Sequence, residues 1–241
     1  MPDALLTLNA TPNIEEVRLA EGVTVLVVDD VLLNPERLVE FAAARRDALK
    51  PSPHNAYPGL QFPTPDEVRD RLGEFFATHI RSRLGARRTL HMNVRLSMVT
   101  QPPQALQARQ SIPHRDSQGL DENECICASV LYLFDRPSLG GTSFFVTRKS
   151  LLETSLLVHD SSTMNSADFA ARHGIAPGYF TASNAYFECV GAVPAQWNRM
   201  IFYDGNIFHS GNITAPNDLS DDPRTGRLTL NGFFTCTRRA R

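Results

Sequence analysis

Residues 199–209 read RMIFYDGNIFH. Met200 to Tyr203 form an apolar run that suits a buried strand, Asp204-Gly205 supplies a tight turn, and His209 follows that turn. Such a turn presents an imidazole at the rim of a sheet. Working outward, the same rhythm recurs along most of the chain. Strand-like runs occupy 89–100, 128–134, 142–146, 198–203 and 228–235. Turn chemistry separates them at Gln101-Pro102-Pro103, 135–141 and 217–226. Many short strands punctuated by Gly and Pro predict a sandwich or a jelly roll, mainly β within an α+β class.

The first third reads differently. Residues 23–28 (VTVLVV) are β-branched and predict a strand. Asn34-Pro35 then opens a helix that runs through ERLVEFAAARRDAL and stops near Pro51. A Pro-rich, aromatic, ordered loop follows over 51–65, and Thr64-Pro65 starts a second amphipathic helix that ends at Gly85. The basic run 81–88 either binds an anion or is a solvated helix end that complements the C-terminal dipole. Residues 1–85 are expected as a strand and helices integral to one domain, with 86–241 as its β-rich core. Residues 148–194 break the rhythm and read as an insertion covering one end of the β-structure. It holds a short helix with Ser166 as its cap, and His159 and His173 either at a substrate mouth or on the plain surface; Phe187 and Trp197 either pack it down or form a substrate platform.

Composition bounds the function. The chain has 241 residues, 42% hydrophobic and 21% charged, which suits a globular protein with a sizeable core. A net charge of -2 lacks the cationic excess that duplex binding requires, so nucleic acid is not an expected partner. No apolar run reaches the ~20 residues of a membrane span, and no secretory signal is visible, so the cytoplasm is the expected compartment. The cysteines Cys125, Cys127, Cys189 and Cys236 form no CxxC pair and read as reduced, mostly buried thiols.

The chemistry concentrates in three places. In Ile112-Pro113-His114-Arg115-Asp116-Ser117, His114 and Asp116 are two apart. On extended backbone they point the same way and can grip one ion. The triplet alone is a weak signal. His209 strengthens it, because two His and one carboxylate make the facial triad of non-haem Fe(II) sites, although zinc accepts the same ligands. Arg227 opens the apolar strand GRLTLNGFF. It either points into water or turns inward, where a buried guanidinium needs an anionic partner.

The order of these motifs is that of a known superfamily. His114-x-Asp116, then Tyr132-Leu133-Phe134, Gly140-Gly141-Thr142-Ser143-Phe144-Phe145, FYDGNIFHSG and GRLTLNGFF resemble the 2-oxoglutarate/Fe(II)-dependent dioxygenases, in the prolyl-4-hydroxylase-like branch. The match spans about 89–237, and the N-terminal part resembles an uncharacterised bacterial family of the same superfamily. The resemblance implies a double-stranded β-helix, or jelly roll, with the N-terminal helices packed on one sheet. It implies that His114, Asp116 and His209 ligate Fe(II), that Arg227 holds the distal carboxylate of 2-oxoglutarate, and that the Tyr132 hydroxyl assists it. A peptide side chain, an amino acid or another small molecule would be hydroxylated. The chain departs from compact members in the long intervals from His114 to His209 and on to Arg227, which leaves Arg224 and Arg95 as rival anchors. Two other readings use the same residues: a non-catalytic metal-binding jelly-roll module, and a cupin-like Zn or Mn enzyme that does not use O2.

Overall fold

A computed structural model describes residues 4–52, 57–116 and 119–238. Among these, strands β1 (Ile14–Ala20) and β2 (Val23–Val28) form a hairpin, followed by helix α1 (Glu36–Ala43). Then come β3 (Lys50–Pro51), β4 (Gly59–Pro63), helix α2 (Asp66–Phe75), β5 (Ala86–Val99), β6 (Glu124–Tyr132) and β7 (Thr142–Thr147). Helices α3 (Leu151–Thr163) and α4 (Ser166–His173) precede β8 (Phe187–Val193), β9 (Met200–Asp204), β10 (Phe208–Gly211) and β11 (Arg227–Arg238).

The strands form two antiparallel sheets. One is eight-stranded, in the order β1-β2-β9-β6-β11-β5-β4-β3, and the other is β10-β7-β8. The large sheet alternates cleanly. Leu228, Leu230, Phe234 and Cys236 of β11 join Leu26 of β2 and Phe202 of β9 on the face that packs under α1 and α2. There Phe76, in a single π turn that extends α2, stacks on Phe234 at 3.9 Å between ring centroids. The opposite face of the large sheet, with Val25, Ala128, Tyr132, Ile201 and Tyr203, meets Phe144 and Val193 of the small sheet. Residues two apart share a face of a strand, so one strand serves two cores.

Several local expectations change. The first helix is short, ending at Ala43, and Asn34 accepts a hydrogen bond from the Thr7 N–H through its side chain instead of capping the helix. The cap of α4 is Asn165, whose Oδ1 accepts from the Asp168 N–H, with Ser166 as the first helical residue. The last part of the expected insertion, Phe187–Val193, is a strand of the small sheet. The cover is therefore α3, α4 and the loop after them. Phe187 does anchor it, in a cluster with Phe169, Phe145 and Phe208, whereas Trp197 packs against the helix-side core.

Candidate metal centre

His209 sits in β10, whose one edge pairs with β7, opposite Phe144. Its other edge pairs with His114 through two main-chain hydrogen bonds. The His114 N–H donates to the His209 carbonyl at 3.0 Å, and the His209 N–H donates to the His114 carbonyl at 2.9 Å. Directly opposed residues of an antiparallel pair project on the same side, and so does a residue two positions on. Asp116 is that residue, and its N–H donates to the Gly205 carbonyl at 2.8 Å. Gly205 is required here by contact, since a Cβ would lie 2.9 Å from the Ile126 side chain and 3.2 Å from Asp116 Cβ. Asp204 serves the turn itself, accepting from the Asn206 N–H.

Three ligand atoms converge as a result. His114 Nε2 is 3.8 Å from Asp116 Oδ1, and His209 Nε2 is 3.5 Å from Asp116 Oδ2. One ligand atom from each residue lies within 4.8 Å of the others. Bonds of about 2.1 Å to one ion put neighbouring ligand atoms about 3 Å apart, so closing these separations by about 2 Å or less completes the set. His209 Nδ1 is 2.9 Å from the Ile207 carbonyl. A carbonyl only accepts, so Nδ1 carries the proton and Nε2 keeps its lone pair for a metal. Asp116 Oδ2 is buried with no hydrogen-bond partner among the described residues. A carboxylate oxygen left unpaired by the protein, beside two imidazoles, fits a cation as its partner. Burial raises the Asp116 pKa, opposed by His209 and Arg95. Enclosure first, then the neighbouring His209 and Arg95, push His114 down to about 3, although its side chain is 53% exposed. The ring is therefore neutral and ready to coordinate.

The triad lies on the wall of a cavity of about 500 Å³ between the two sheets. β11 supplies its polar floor with Arg227, Thr229 and Asn231, the residues that alternate with the apolar row under the helices. Arg227 is buried. Its Nε donates to the carbonyls of Leu139 at 2.9 Å and Gly140 at 3.2 Å, and Nη2 donates to Gly141 at 2.9 Å. The Gly140-Gly141 pair makes this possible. Gly140 has φ +78°, and a Cβ on either glycine would collide with a carbonyl oxygen, that of Asn212 or Val193. No carboxylate pairs with Arg227 among the described residues.

Tyr132 stands behind the cavity wall. Its hydroxyl is 2.8 Å from Thr142 Oγ1, and Thr142 lines the cavity while Tyr132 does not. Burial pushes the phenol up to about 12. Arg224 is at the surface, paired with Glu40 at 2.7 Å. Arg95 lines the cavity, with its guanidinium 4.4 Å above the Phe233 ring. His159 is exposed on α3, and His173 is held between Asp160 Oδ2 at 2.8 Å and the Tyr186 hydroxyl at 3.0 Å, so neither forms the mouth. Sequence reasoning passed over Tyr203, Thr229, Asn231 and Arg115 as lining residues. The alternation R-L-T-L-N from Arg227 onward carries the signal for two of them.

A profile of a family of unknown function, DUF6445, matches residues 10–234. The chain belongs to that family. No curated protein sequence matches this DUF6445 chain. Among solved structures, it is similar to the non-haem α-ketoglutarate-dependent carbocyclase SnoK from nogalamycin biosynthesis, at 14% identity and a TM-score of 0.50 over 88% of this chain and 79% of that one. It is also similar to HygX from Streptomyces hygroscopicus, crystallised with nickel and 2-oxoglutarate, at 12% identity and TM-score 0.49 over 88% and 82%. A Pseudomonas putida prolyl-4-hydroxylase matches at 18% identity and TM-score 0.41 over 86% and 88%. At such identities the likeness to SnoK is one of fold. This chain shares with SnoK a mainly β fold of antiparallel sheets with few helices.

Proposed function

We propose that the protein is an Fe(II)- and 2-oxoglutarate-dependent oxygenase with a double-stranded β-helix core. The observation that carries this is the convergence of His114, Asp116 and His209, from two distant parts of the chain, on the wall of a cavity that also holds the buried, carboxylate-free Arg227. A purely structural scaffold has no use for either feature.

In this reading His114, Asp116 and His209 would hold the ion, a three-donor set that leaves it free to bind a cosubstrate. Arg227, fixed by three backbone carbonyls, offers its remaining N–H groups to the distal carboxylate of 2-oxoglutarate. Thr142, backed by the Tyr132 hydroxyl, lies on the same wall and supplies a neutral hydrogen-bonding group. Iron with 2-oxoglutarate supplies an O2-dependent oxidation in which the keto acid leaves as succinate and CO2. The α3–α4 cover keeps bulk water from the cavity, with Val158, Ser161 and Ser162 of α3 forming part of its wall. The substrate would be a small molecule or a peptide side chain. The compartment we propose is the cytoplasm, where four free thiols remain reduced.

Anaerobic protein charged with Fe(II) and 2-oxoglutarate is expected to release succinate slowly on admission of air, without any added substrate. Absence of succinate, together with zinc or manganese retained through purification, would favour the O2-independent reading instead. Arg227→Ala is expected to weaken 2-oxoglutarate binding by about 100-fold, the scale of a lost charge-assisted pair.

A further inference from the structure

The cavity carries far more positive charge than the proposed cosubstrate uses. Arg95, Arg109, Arg115 and Arg227 line it, against the single carboxylate of Asp116. A divalent ion and the 2-oxoglutarate dianion cancel one another, so they leave that excess untouched. Arg227 is assigned to the cosubstrate, and Arg109 and Arg115 stand on the wall, the latter 4.4 Å above the Phe208 ring.

Arg95 is the distinctive one. It sits on β5 opposite Asn231 of β11, four residues along from Arg227. At ~3.4 Å per residue that offset is ~14 Å, and the Arg95 guanidinium leans further away, onto Phe233. A five-carbon diacid gripped at Arg227 does not span to it. Arg95 Nε is buried without a hydrogen-bond partner, and no carboxylate lies within ion-pair distance among the described residues. Asp116, the carboxylate that acts on it electrostatically, belongs to the ion's donor set in this reading. Arg95, Asp116 and Phe233 also line a second cavity of about 380 Å³, so the guanidinium stands at the junction of the two spaces, beside the metal triad.

We infer that the substrate is an organic anion whose carboxylate or phosphate group is bound by Arg95, at the Asp116 side of the metal and away from Arg227. The inference rests on the oxygenase reading above. The ion pair fixes the substrate's charged end, the Phe233 ring flanks it, and the reacting carbon lies over the triad. Arg95 here is a specificity-determining residue that touches substrate and takes no part in the cosubstrate's binding.

Calorimetry on Ni(II)-loaded, 2-oxoglutarate-saturated protein tests this with benzoate, phenyl phosphate and benzamide as probes. One of the two anions is expected to bind about tenfold tighter than benzamide, and which one identifies the acidic group. Arg95→Gln is expected to abolish that preference, Arg95→Lys to keep part of it, and both to bind 2-oxoglutarate within about twofold of the parent. Equal binding of the three probes overturns the inference, and so does a preference that survives Arg95→Gln. Loss of 2-oxoglutarate affinity in Arg95→Gln also overturns it, by making Arg95 a cosubstrate anchor. If the parent binds no 2-oxoglutarate, the oxygenase reading fails separately, and the Arg95 preference is then read on the Ni(II) protein alone.

Discussion

Asp116 is costly to keep until a cation arrives. Its carboxylate is nearly buried, and burial raises its pKa. A raised folded-state pKa means that this group favours folding below its unfolded value and opposes it once pH climbs through the folded value. Asp116→Asn should therefore stabilise the metal-free protein by about 1 kcal/mol at pH 7, with no gain below about pH 3. The same change should weaken Ni(II) binding by more than about 100-fold. Urea unfolding at the two pH values and metal titration by calorimetry read the two effects independently. Asp29 has the opposite sign. Arg199 grips it at 2.6 Å and 2.9 Å, and the hydrogen bond holds the Asp29 pKa below the usual carboxylate value. That contribution is present above the unfolded pKa and vanishes as acid protonates the folded form. Because Asp29 is 44% exposed, Asp29→Asn should cost no more than about 1 kcal/mol at pH 7 and nothing near pH 2. At this scale the convergence of His114, Asp116 and His209 was legible, since i, i+2 spacing and a post-turn His fix direction on any strand. The identity of their supports was not. Nothing local in Gly205 or Ile207 announces a hydrogen bond to a residue far along the chain.

The Gly140-Gly141 turn shows what an element can do that its residues alone do not declare. Its carbonyls hold Arg227, and its lack of side chains lets the backbone of 212–213 and 193–195 approach. Gly140→Ala should cost more than about 2 kcal/mol, through a left-handed φ and a clash with the Asn212 carbonyl, and should weaken 2-oxoglutarate binding. Gly22→Ala makes the matched control. Gly22 has a similar φ of +72° but open space around it, so only about 1 kcal/mol of backbone strain is expected and no loss of binding. Thermal unfolding and calorimetry compare the pair. The strongly patterned strands were legible in sequence, as β6, β7, β9 and β11 show. The short or polar ones, β1 (IEEVRLA) and β8 (FECVGAV), were not, because their hydrogen bonds to a neighbouring strand decide their state more than their own propensity does. The helix after Pro35 was overextended for a related reason: a run of good helix formers continues past Ala43, but the chain turns there to reach β3 and the edge of the large sheet.

Across the whole molecule, the β-structure is continuous while the cover is a separate packing unit. Phe169, Phe180, Phe187 and Phe208 form its apolar centre, and a polar relay, Tyr186–His173–Asp160, ties α4 to α3. Asp160 is buried, with Arg172 as its other partner. His173→Phe keeps the ring packing and leaves both oxygen groups short of a hydrogen bond, so it should destabilise the protein by about 2 kcal/mol. Hydrogen exchange should place the loss in α3 and α4 and leave β5 and β11 protected, with Ni(II) affinity unchanged. The break in strand rhythm coincides with helices α3 and α4. The extent of the cover was not legible, because β8 carries the same mixed composition as the loop before it.

The His114–His209 bridge has one more consequence. Two amide–carbonyl links within the protein, and not the ion, set the spacing of the imidazoles. Stripping with EDTA should therefore leave the far-ultraviolet circular dichroism intact and the site reloadable, the reverse of a zinc finger, which collapses when its ion is withdrawn.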